Sequence, residues 1–171
     1  MEQEQANHLS KKAGYLLAQH HFKLCLAESC TGGLTGDLIT NISGSSDYFL
    51  GGVIVYSNEV KRDLIKVKSK TLEKFGAVSR ETALEMADGV RKLFASQNPI
   101  DQIISLSITG IAGPGGGSPD KPVGIVWIGL SWKKGSFAWK HLWNGKRVEN
   151  KMLSALAALQ HLCDILSDPD E

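Results

Sequence analysis

The sequence predicts an α/β fold, a three-layer α/β/α sandwich on a mixed, mostly parallel sheet of about five strands. In the first two thirds of the chain, apolar runs alternate with segments of helical period, and helices between strands imply right-handed parallel crossovers. Two later apolar runs flank Lys134-Gly135 and predict an antiparallel hairpin. A length of 171 residues suits one domain. No repeat or linker interrupts residues 1–171, and the ordered core is predicted over residues 7–166.

The first half of the chain alternates helix and strand. Apolar residues at helical spacing predict a surface helix over residues 7–20, and FKLCLA at 22–27 alternates as a strand does. Apolar residues at four-residue steps predict a helix over 31–42, which ends in the loop composition SGSS. GVIVYS at 52–57 is a β-branched run too short for a helix. Asn58 is predicted to cap the helix that follows.

The second half ends in a hairpin and a long helix. A short helix near residues 69–75 ends at Gly76, and Ser79 caps a longer amphipathic helix. IISLSI at 103–108 predicts a strand that runs into the glycine-rich segment TGIAGPGGGSPDKP. VGIVWIGLSW and FAWKHLW form the predicted hairpin, and a leucine-rich helix over residues 147–166 closes the fold.

Charge and composition give no support to several classes of function. A formal net charge of +1 gives no electrostatic reason to expect binding to nucleic acid or to a membrane surface. The polar N-terminus lacks a signal-peptide core, and no apolar run approaches the roughly 20 residues of a membrane span. The three cysteines lack metal-ligand spacing, which favours reduced thiols and no metal site. These observations predict a cytoplasmic protein.

Three polar or glycine-rich loops follow predicted strands: AESCTGG, VYSNEVK and TGIAGPGGGSPDKP. In open α/β sheets, ligands bind at the carboxyl ends of parallel strands, so these loops are expected to converge on one site. The third loop matches neither a P-loop nor a dinucleotide fingerprint, but its backbone is suited to wrap a phosphate or a sugar. Arg147, at the start of the last helix, would add a cation, although a surface arginine is an alternative.

Ser29 and Cys30 are adjacent candidate nucleophiles at a strand-to-helix turn. Free N–H groups there would stabilise an oxyanion, and Gly32 and Gly33 would let a ligand approach the backbone. A plain helix cap is the alternative interpretation of Ser29. A thiol near a helix N-terminus can be reactive, but Cys30 lacks a well-placed histidine partner and is also explained by packing.

Lys61 is the candidate base for Ser29. It is predicted in the first turn of a helix, where burial and the positive helix end would lower its pKa. Tyr56, at the strand end, would relay the proton or hold the lysine in place. A solvated surface lysine is the alternative. None of the five histidines falls in a strand-end loop, which argues against a Ser-His-Asp triad. Glu28 and Asp37 form a possible carboxylate pair.

Long ordered motifs resemble a known family over about residues 7–165. They are LAESCTGG, GSSDYFLGGVIVYSNEVK, FGAVS and SITGIAGPGGGSPDKPVGIVWIGL. The sequence resembles the C-terminal domain of the competence-damage-inducible CinA family and its stand-alone relatives, the nicotinamide-nucleotide amidases of the PncC type. Full-length CinA proteins carry a further N-terminal domain without a match here, so hydrolysis of the pyrophosphate bond of ADP-ribose is not expected.

The resemblance implies deamidation of nicotinamide mononucleotide to nicotinate mononucleotide and ammonia, in pyridine-nucleotide recycling, without metal or cofactor. Ser29 would be the nucleophile, Lys61 its base and Tyr56 an assisting group. The predicted substrate contacts are Cys30, Thr31, Gly32, Gly33, Ser45, Ser46, Thr109, Gly110 and Arg147. A homo-oligomer, a dimer in particular, is expected. The same loops would also suit a nucleotide-binding module without turnover, and a cysteine enzyme using Cys30 is a third possibility.

Overall fold

The computed structural model describes residues 2–167 and contains a five-stranded sheet between two layers of helices. The strands are β1 (Lys23–Glu28), β2 (Phe49–Ile54), β3 (Ile103–Gly110), β4 (Ile125–Trp132) and β5 (Gly135–Leu142). The helices are α1 (Glu2–Gln19), α2 (Leu34–Thr40), α3 (Asn58–Ile65), α4 (Ser69–Phe75), α5 (Arg80–Phe94) and α6 (Arg147–Ser167).

The sheet has the strand order β2-β1-β3-β4-β5. Strand β1 pairs in parallel with β2 and β3, whereas β4 is antiparallel to both β3 and β5. Four strands therefore share one direction and only β4 opposes them, so the predicted mixed, mostly parallel α/β fold is confirmed. The carboxyl ends of β1, β2 and β3 lie at one edge of the sheet, and the loops that follow them meet there.

Side chains of β1 point alternately into two separate cores, one on each face of the sheet. Leu24 and Leu26 belong to the core shared with α1, α2 and α6, whereas Cys25 and Ala27 belong to the core shared with α3 and α5. This alternation follows from the two-residue period of a strand. The next two residues continue it, so that Glu28 extends the α2 side and Ser29 the α3 side.

Helix α5 packs closely on the centre of the sheet because small residues of β3 and β4 face it. The hydroxyls of Ser105 and Ser107 donate to the carbonyls of Ala87 and Ala83 at 2.7 and 2.6 Å. A Cβ on Gly129 would lie 2.5 Å from the Ala83 carbonyl oxygen, so any larger residue would displace the helix. This packing fixes the N-terminal end of α5 next to the loops described below.

Strand β2 and helix α2 are among the elements whose boundaries differ from the sequence prediction. Strand β2 lies earlier than residues 52–57, because Phe49–Ile54 is the segment in register with β1. Helix α2 begins only at Leu34, because Gly32 and Gly33 have φ angles of 65° and 97°, in the left-handed region that interrupts a helix.

None of the helices within residues 2–167 has the length and apolar content that crossing a bilayer requires.

Helix α3 begins with a different cap from the one predicted. Ser57, not Asn58, is the N-cap, and its hydroxyl accepts a hydrogen bond from the N–H of Val60 at 3.3 Å. Asn58 is itself the first residue of the helix. The N–H of Lys61 donates to the Ser57 carbonyl at 3.1 Å, which starts the helical ladder. Ser57 therefore fixes the turn on which Lys61 stands.

Candidate active site

Ser29 and Lys61 form a buried hydrogen-bonded pair. The Lys61 Nζ lies 3.0 Å from the Ser29 Oγ and donates to the main-chain carbonyl of Tyr56 at 2.9 Å. Ser29 is 7% exposed and Lys61 1% exposed. The Ser29 N–H donates to the Ile108 carbonyl at 2.9 Å, which ties the serine to the end of β3. The structure thus brings together two of the three predicted catalytic side chains.

Burial makes Lys61 a suitable base near neutral pH. It lowers the pKa of the ammonium group from 10.5 to about 8, and the nearby Glu59 carboxylate opposes this shift. A general base works best when its pKa lies close to the working pH. The alternative of a solvated surface lysine is wrong for Lys61.

Tyr56 and Arg147 form the outer rim of the site. The Tyr56 ring is 62% exposed, and its hydroxyl accepts a hydrogen bond from Arg147 Nη2 at 3.2 Å. Arg147 Nη1 donates to the Gly113 carbonyl at 2.6 Å. Of the two roles predicted for Tyr56, the geometry favours holding the lysine, through the main-chain carbonyl, because the phenol faces Arg147.

A cavity of about 230 Å³ opens above the Ser29–Lys61 pair. Seven of its lining residues are among the predicted site residues: Ser29, Cys30, Tyr56, Lys61, Thr109, Gly110 and Arg147. The lining residues that sequence reasoning did not single out are small or apolar: Ala77, Val78, Ile111, Ala112, Gly113, Gly115 and Gly116. Side chains of this kind carry no chemical signal, and only their membership of the FGAVS and TGIAGPGGG motifs could have indicated them.

Thr109 positions one wall of this cavity. Its hydroxyl donates to the Ala77 carbonyl at 2.7 Å, which joins β3 to the loop between α4 and α5. The hydroxyls of Ser79 and Thr82 hold the same loop by donating to the Gly76 carbonyl at 3.1 and 2.8 Å. Ala77 and Val78 of the FGAVS motif therefore line the cavity on a loop that these hydrogen bonds hold in place.

Cys30 is next to Ser29 in the chain, but its thiol is unreactive. It is 6% exposed, and burial raises its thiol pKa to about 12, so the reactive thiolate is scarce at neutral pH. Burial likewise raises the pKa of Cys25 to about 12 and that of Cys163 to about 11. The packing interpretation of Cys30 is the one that the structure supports.

This burial predicts that native protein reacts slowly with Ellman's reagent, because all three thiols are buried and protonated at pH 8. We expect no thiol to be modified within minutes in buffer and all three to react after unfolding in urea. Absorbance of the released thionitrobenzoate measures both. Fast modification of a single thiol together with loss of ligand binding would contradict the quiet role of Cys30.

The sequence predicts that the free N–H groups at the start of α2 face the cavity, but the structure shows that they do not. Gly33, Thr35 and Gly36 donate their N–H groups to the Glu28 carboxylate at 3.1, 3.1 and 2.9 Å. These amides are already occupied and cannot hold an oxyanion. Three predicted substrate contacts from this turn do not line the cavity, namely Thr31, Gly32 and Gly33.

Glu28 does not pair with Asp37, and that prediction is wrong. The Asp37 carboxylate instead accepts a hydrogen bond from the Asn41 amide at 3.4 Å on the exposed side of α2.

Ser45 and Ser46 lie away from the cavity, which corrects their prediction as substrate contacts. They form a short 3₁₀ turn that precedes β2, and the following Tyr48 carbonyl accepts a hydrogen bond from Leu24 at the start of β1. This places them at the amino edge of the parallel strands, opposite the edge that carries Ser29. Sequence proximity to the GGVIVYSNEVK segment did not reveal which edge they occupy.

Histidine and metal chemistry find no support in the part of the chain that is described. No histidine lines the cavity, and His141 and His161 hydrogen-bond to each other between β5 and α6, with their Nε2 atoms 2.9 Å apart. Within residues 2–167 no cluster of three metal-ligating side chains occurs. Among the residues that line the cavity, Ser29 and Lys61 are hydrogen-bonded as a nucleophile and a base would be.

Comparisons with known proteins agree with this fold. A model of the CinA C-terminal domain matches residues 6–166. A CinA-like protein of Acaryochloris marina is 51% identical over 133 residues, 78% of this chain and 30% of that protein. A CinA-like protein of Thermotoga neapolitana is 43% identical over 147 residues, 86% of this chain and 34% of that protein. The chain spans about a third of the length of the curated relatives that it matches.

Solved structures are similar over nearly the whole chain. The competence/damage inducible protein CihA from Agrobacterium tumefaciens is 35% identical, with a TM-score of 0.84 and coverage of 95% of this chain and 96% of that one. A competence-damaged protein (CinA) superfamily protein from Klebsiella pneumoniae is 26% identical, with a TM-score of 0.88 and coverage of 95% and 98%. The chain belongs to the CinA C-terminal domain family.

Proposed function

We propose that this protein is a serine amidohydrolase that converts nicotinamide mononucleotide to nicotinate mononucleotide and ammonia. The observation that carries the proposal is the contact of 3.0 Å between Lys61 Nζ and Ser29 Oγ, buried beneath a cavity at the carboxyl edge of the sheet. Serine is a weak nucleophile until a neighbouring base accepts its proton, and a lysine with a lowered pKa is such a base. The choice of substrate comes from the family resemblance and from the chemistry of the cavity.

The first half of the reaction forms an ester on the serine. Neutral Lys61 accepts the Ser29 proton while one of its N–H groups stays on the Tyr56 carbonyl. Ser29 Oγ attacks the carboxamide carbon, and the N–H group of Cys30, a residue that lines the cavity, is the proposed donor to the oxyanion. When the tetrahedral intermediate collapses, protonated Lys61 gives its proton to the departing ammonia.

The second half hydrolyses that ester. The amine of Lys61, neutral again, accepts a proton from water, which attacks the ester carbon and releases nicotinate mononucleotide from Ser29. The proton then returns from Lys61 to the serine oxygen, so the pair ends as it began. No step in this scheme requires a metal ion or an organic cofactor.

The cavity favours a small anionic ligand with an aromatic ring. It has a volume of about 230 Å³ and opens to solvent at the rim formed by Tyr56 and Arg147. The apolar side chains of Ala77, Val78 and Ile111 offer a surface for a pyridine ring. Arg147 uses two N–H groups within the protein, and a guanidinium has five, so the remainder are available to a phosphate.

Arg147 is proposed to bind the phosphate of the substrate. We expect Arg147→Met to raise KM for nicotinamide mononucleotide by about 10- to 100-fold, the value of a charge-assisted hydrogen bond. The KM for nicotinamide riboside, which lacks the phosphate, should stay nearly unchanged. Steady-state kinetics on both substrates measures the difference. Lys146→Met is the matched control, because Lys146 is an exposed cation one position earlier. Equal losses on both substrates would contradict a role in phosphate binding.

The activity itself is tested by incubating the protein with nicotinamide mononucleotide and separating the products by chromatography. The expected product is nicotinate mononucleotide in equal amount to ammonia. Saturable binding of unchanged nicotinamide mononucleotide would instead support the nucleotide-binding module. The expected homodimer remains a prediction, which sedimentation velocity checks.

A further inference from the structure

We propose that Glu28 is the positioning residue of Ser29. Its carboxylate holds the N–H groups of Gly33, Thr35 and Gly36, and we call this arrangement the amide clamp. The clamp ties the start of α2 to the end of β1 and thereby fixes the Ser29 hydroxyl at Lys61. The inference rests on the proposed serine chemistry, although one of its tests does not need turnover of nicotinamide mononucleotide.

The clamp satisfies a carboxylate that would otherwise be costly to bury. Glu28 is 3% exposed, and no lysine, arginine or histidine forms an ion pair with it among the described residues. A buried carboxylate is tolerated when charge-assisted hydrogen bonds replace its water, and three amides at a helix N-terminus supply them. The partial positive charge of that helix end adds to the attraction. Glu28 and the start of α2 are therefore held together as one unit.

Ser29 lies between a strand end that backbone hydrogen bonds hold and a turn that contains two glycines. On the strand side, the Val55 N–H donates to the Glu28 carbonyl at 2.8 Å, and the Ser29 N–H donates to Ile108 at 2.9 Å. On the other side, Gly32 and Gly33 have left-handed backbones, which glycine leaves easily. The amide clamp spans this turn from residue 28 to residue 36. Without it, local backbone hydrogen bonds such as that from the Gly32 N–H to the Ser29 carbonyl at 3.2 Å would restrict the Ser29 side chain less tightly.

Glu28 and Ser29 have different roles because their side chains lie on opposite faces of the sheet. Glu28 points toward α2, and Ser29 points toward Lys61 of α3, so the carboxylate does not touch the reacting groups. Three of its roughly four lone-pair sites accept the amides, and Glu28 does not line the cavity above Ser29. Because the Glu28 carboxylate already occupies the N–H groups at the start of α2, these groups do not bind the substrate phosphate, and we assign that role to Arg147. Glu28 acts through Ser29 and is not itself a catalytic residue.

The test compares Glu28→Gln with the wild type in two assays. Glutamine keeps the shape of glutamate but turns one of the two acceptor oxygens into an NH₂ group, which faces backbone N–H donors. A fluorophosphonate reports the nucleophilicity of Ser29, through its rate of covalent labelling located by mass spectrometry. Deamidation of nicotinamide mononucleotide reports kcat and KM.

We expect both the labelling rate and kcat to fall by about 10- to 100-fold in Glu28→Gln, as for a small misplacement of a reacting group. KM should stay within a few-fold, because the Arg147 side of the cavity is untouched. Asp37→Asn is the matched control, since it also changes a carboxylate to an amide, on helix α2 but outside the amide clamp, and it should behave as the wild type does.

Should Glu28→Gln not fold, Glu28→Asp takes its place, because it keeps the charge but is too short to reach all three amides. Unchanged labelling and kcat in a folded Glu28 variant would overturn the proposal, and so would failure of both variants to fold, which would make the role one of stability alone. If wild-type Ser29 is labelled and Glu28→Gln slows labelling, the inference stands even where nicotinamide mononucleotide is not hydrolysed, and only the proposed substrate fails. Absence of labelling in the wild type overturns both.

Discussion

Ser29→Ala and Lys61→Met are each expected to lower kcat for nicotinamide mononucleotide by at least about 10³-fold, because members of a nucleophile–base unit act together. Their double variant should lose little more than either single variant. The two side chains touch at 3.0 Å and share one proton in the proposed reaction, so removing either one removes the same step. Steady-state ammonia release at pH 8 measures the effect.

The matched control is Lys66→Met, which removes an exposed lysine at the end of the same helix. Lys66 donates to the Asp63 carbonyl at 2.7 Å and lies outside the cavity, so its loss should leave kcat within a few-fold. A Lys61→Met protein that keeps near-normal turnover would contradict the assignment of the base.

The second large effect is on the pH dependence of both activity and stability. Because Lys61 must be neutral to accept the serine proton, kcat/KM should rise about tenfold per pH unit below pH 8 and level off above it. The slope has this sign because a lower pH protonates the amine and removes the base. A pH–rate profile between pH 6 and pH 9 measures it. A flat profile across pH 8 would contradict the account.

The same pKa shift predicts that Lys61 destabilises the fold at neutral pH. Its pKa is about 8 in the folded chain and 10.5 when unperturbed, so between these values the unfolded chain binds more protons and stability rises with pH. At roughly 1.4 kcal/mol per pKa unit, the charged amine costs up to about 3 kcal/mol at pH 7. We expect Lys61→Met to be more stable than the wild type at pH 7 by about 1–3 kcal/mol, despite the lost hydrogen bonds.

Urea unfolding of both proteins at pH 7 and pH 9.5 checks this prediction. The difference between the two proteins is the useful quantity, because Cys25 and Cys163, whose pKa values are raised by burial, are present in both and are not influenced by Lys61. The advantage of Lys61→Met should shrink at the higher pH, where the wild-type amine is neutral. A Lys61→Met protein that is less stable than the wild type at pH 7 would show that the hydrogen bonds of Lys61 outweigh its burial.

Much of the fold followed from periodicity, because short apolar runs and helical spacing are local signals. The order of elements and the Ser79 cap were predictable in this way. The shift of β2 was not, since its position depends on register with β1, which is a long-range property. The choice of Ser57 over Asn58 as a cap depends on which of two neighbouring residues has the extended backbone, and both residue types suit that position.

In the candidate site, too, some features were predictable from the sequence and others depend on the folded structure. The rule that ligands meet at the carboxyl ends of parallel strands brought together Ser29, Lys61 and Thr109 from distant parts of the sequence. The sequence did not reveal that Glu28 occupies the amides of α2, because a carboxylate and free N–H groups compete only once the turn is formed. The prediction for Ser45 and Ser46 was wrong because a motif shows which residues are adjacent in sequence, but not at which edge of the sheet they lie.

The most direct test of the serine–lysine account is ammonia release from nicotinamide mononucleotide by wild type, Ser29→Ala and Cys30→Ala, each shown to be folded and assayed with a metal chelator. We expect release by the wild type and by Cys30→Ala, and none above background by Ser29→Ala. Release that survives in Ser29→Ala, or that is lost only in Cys30→Ala, would contradict it.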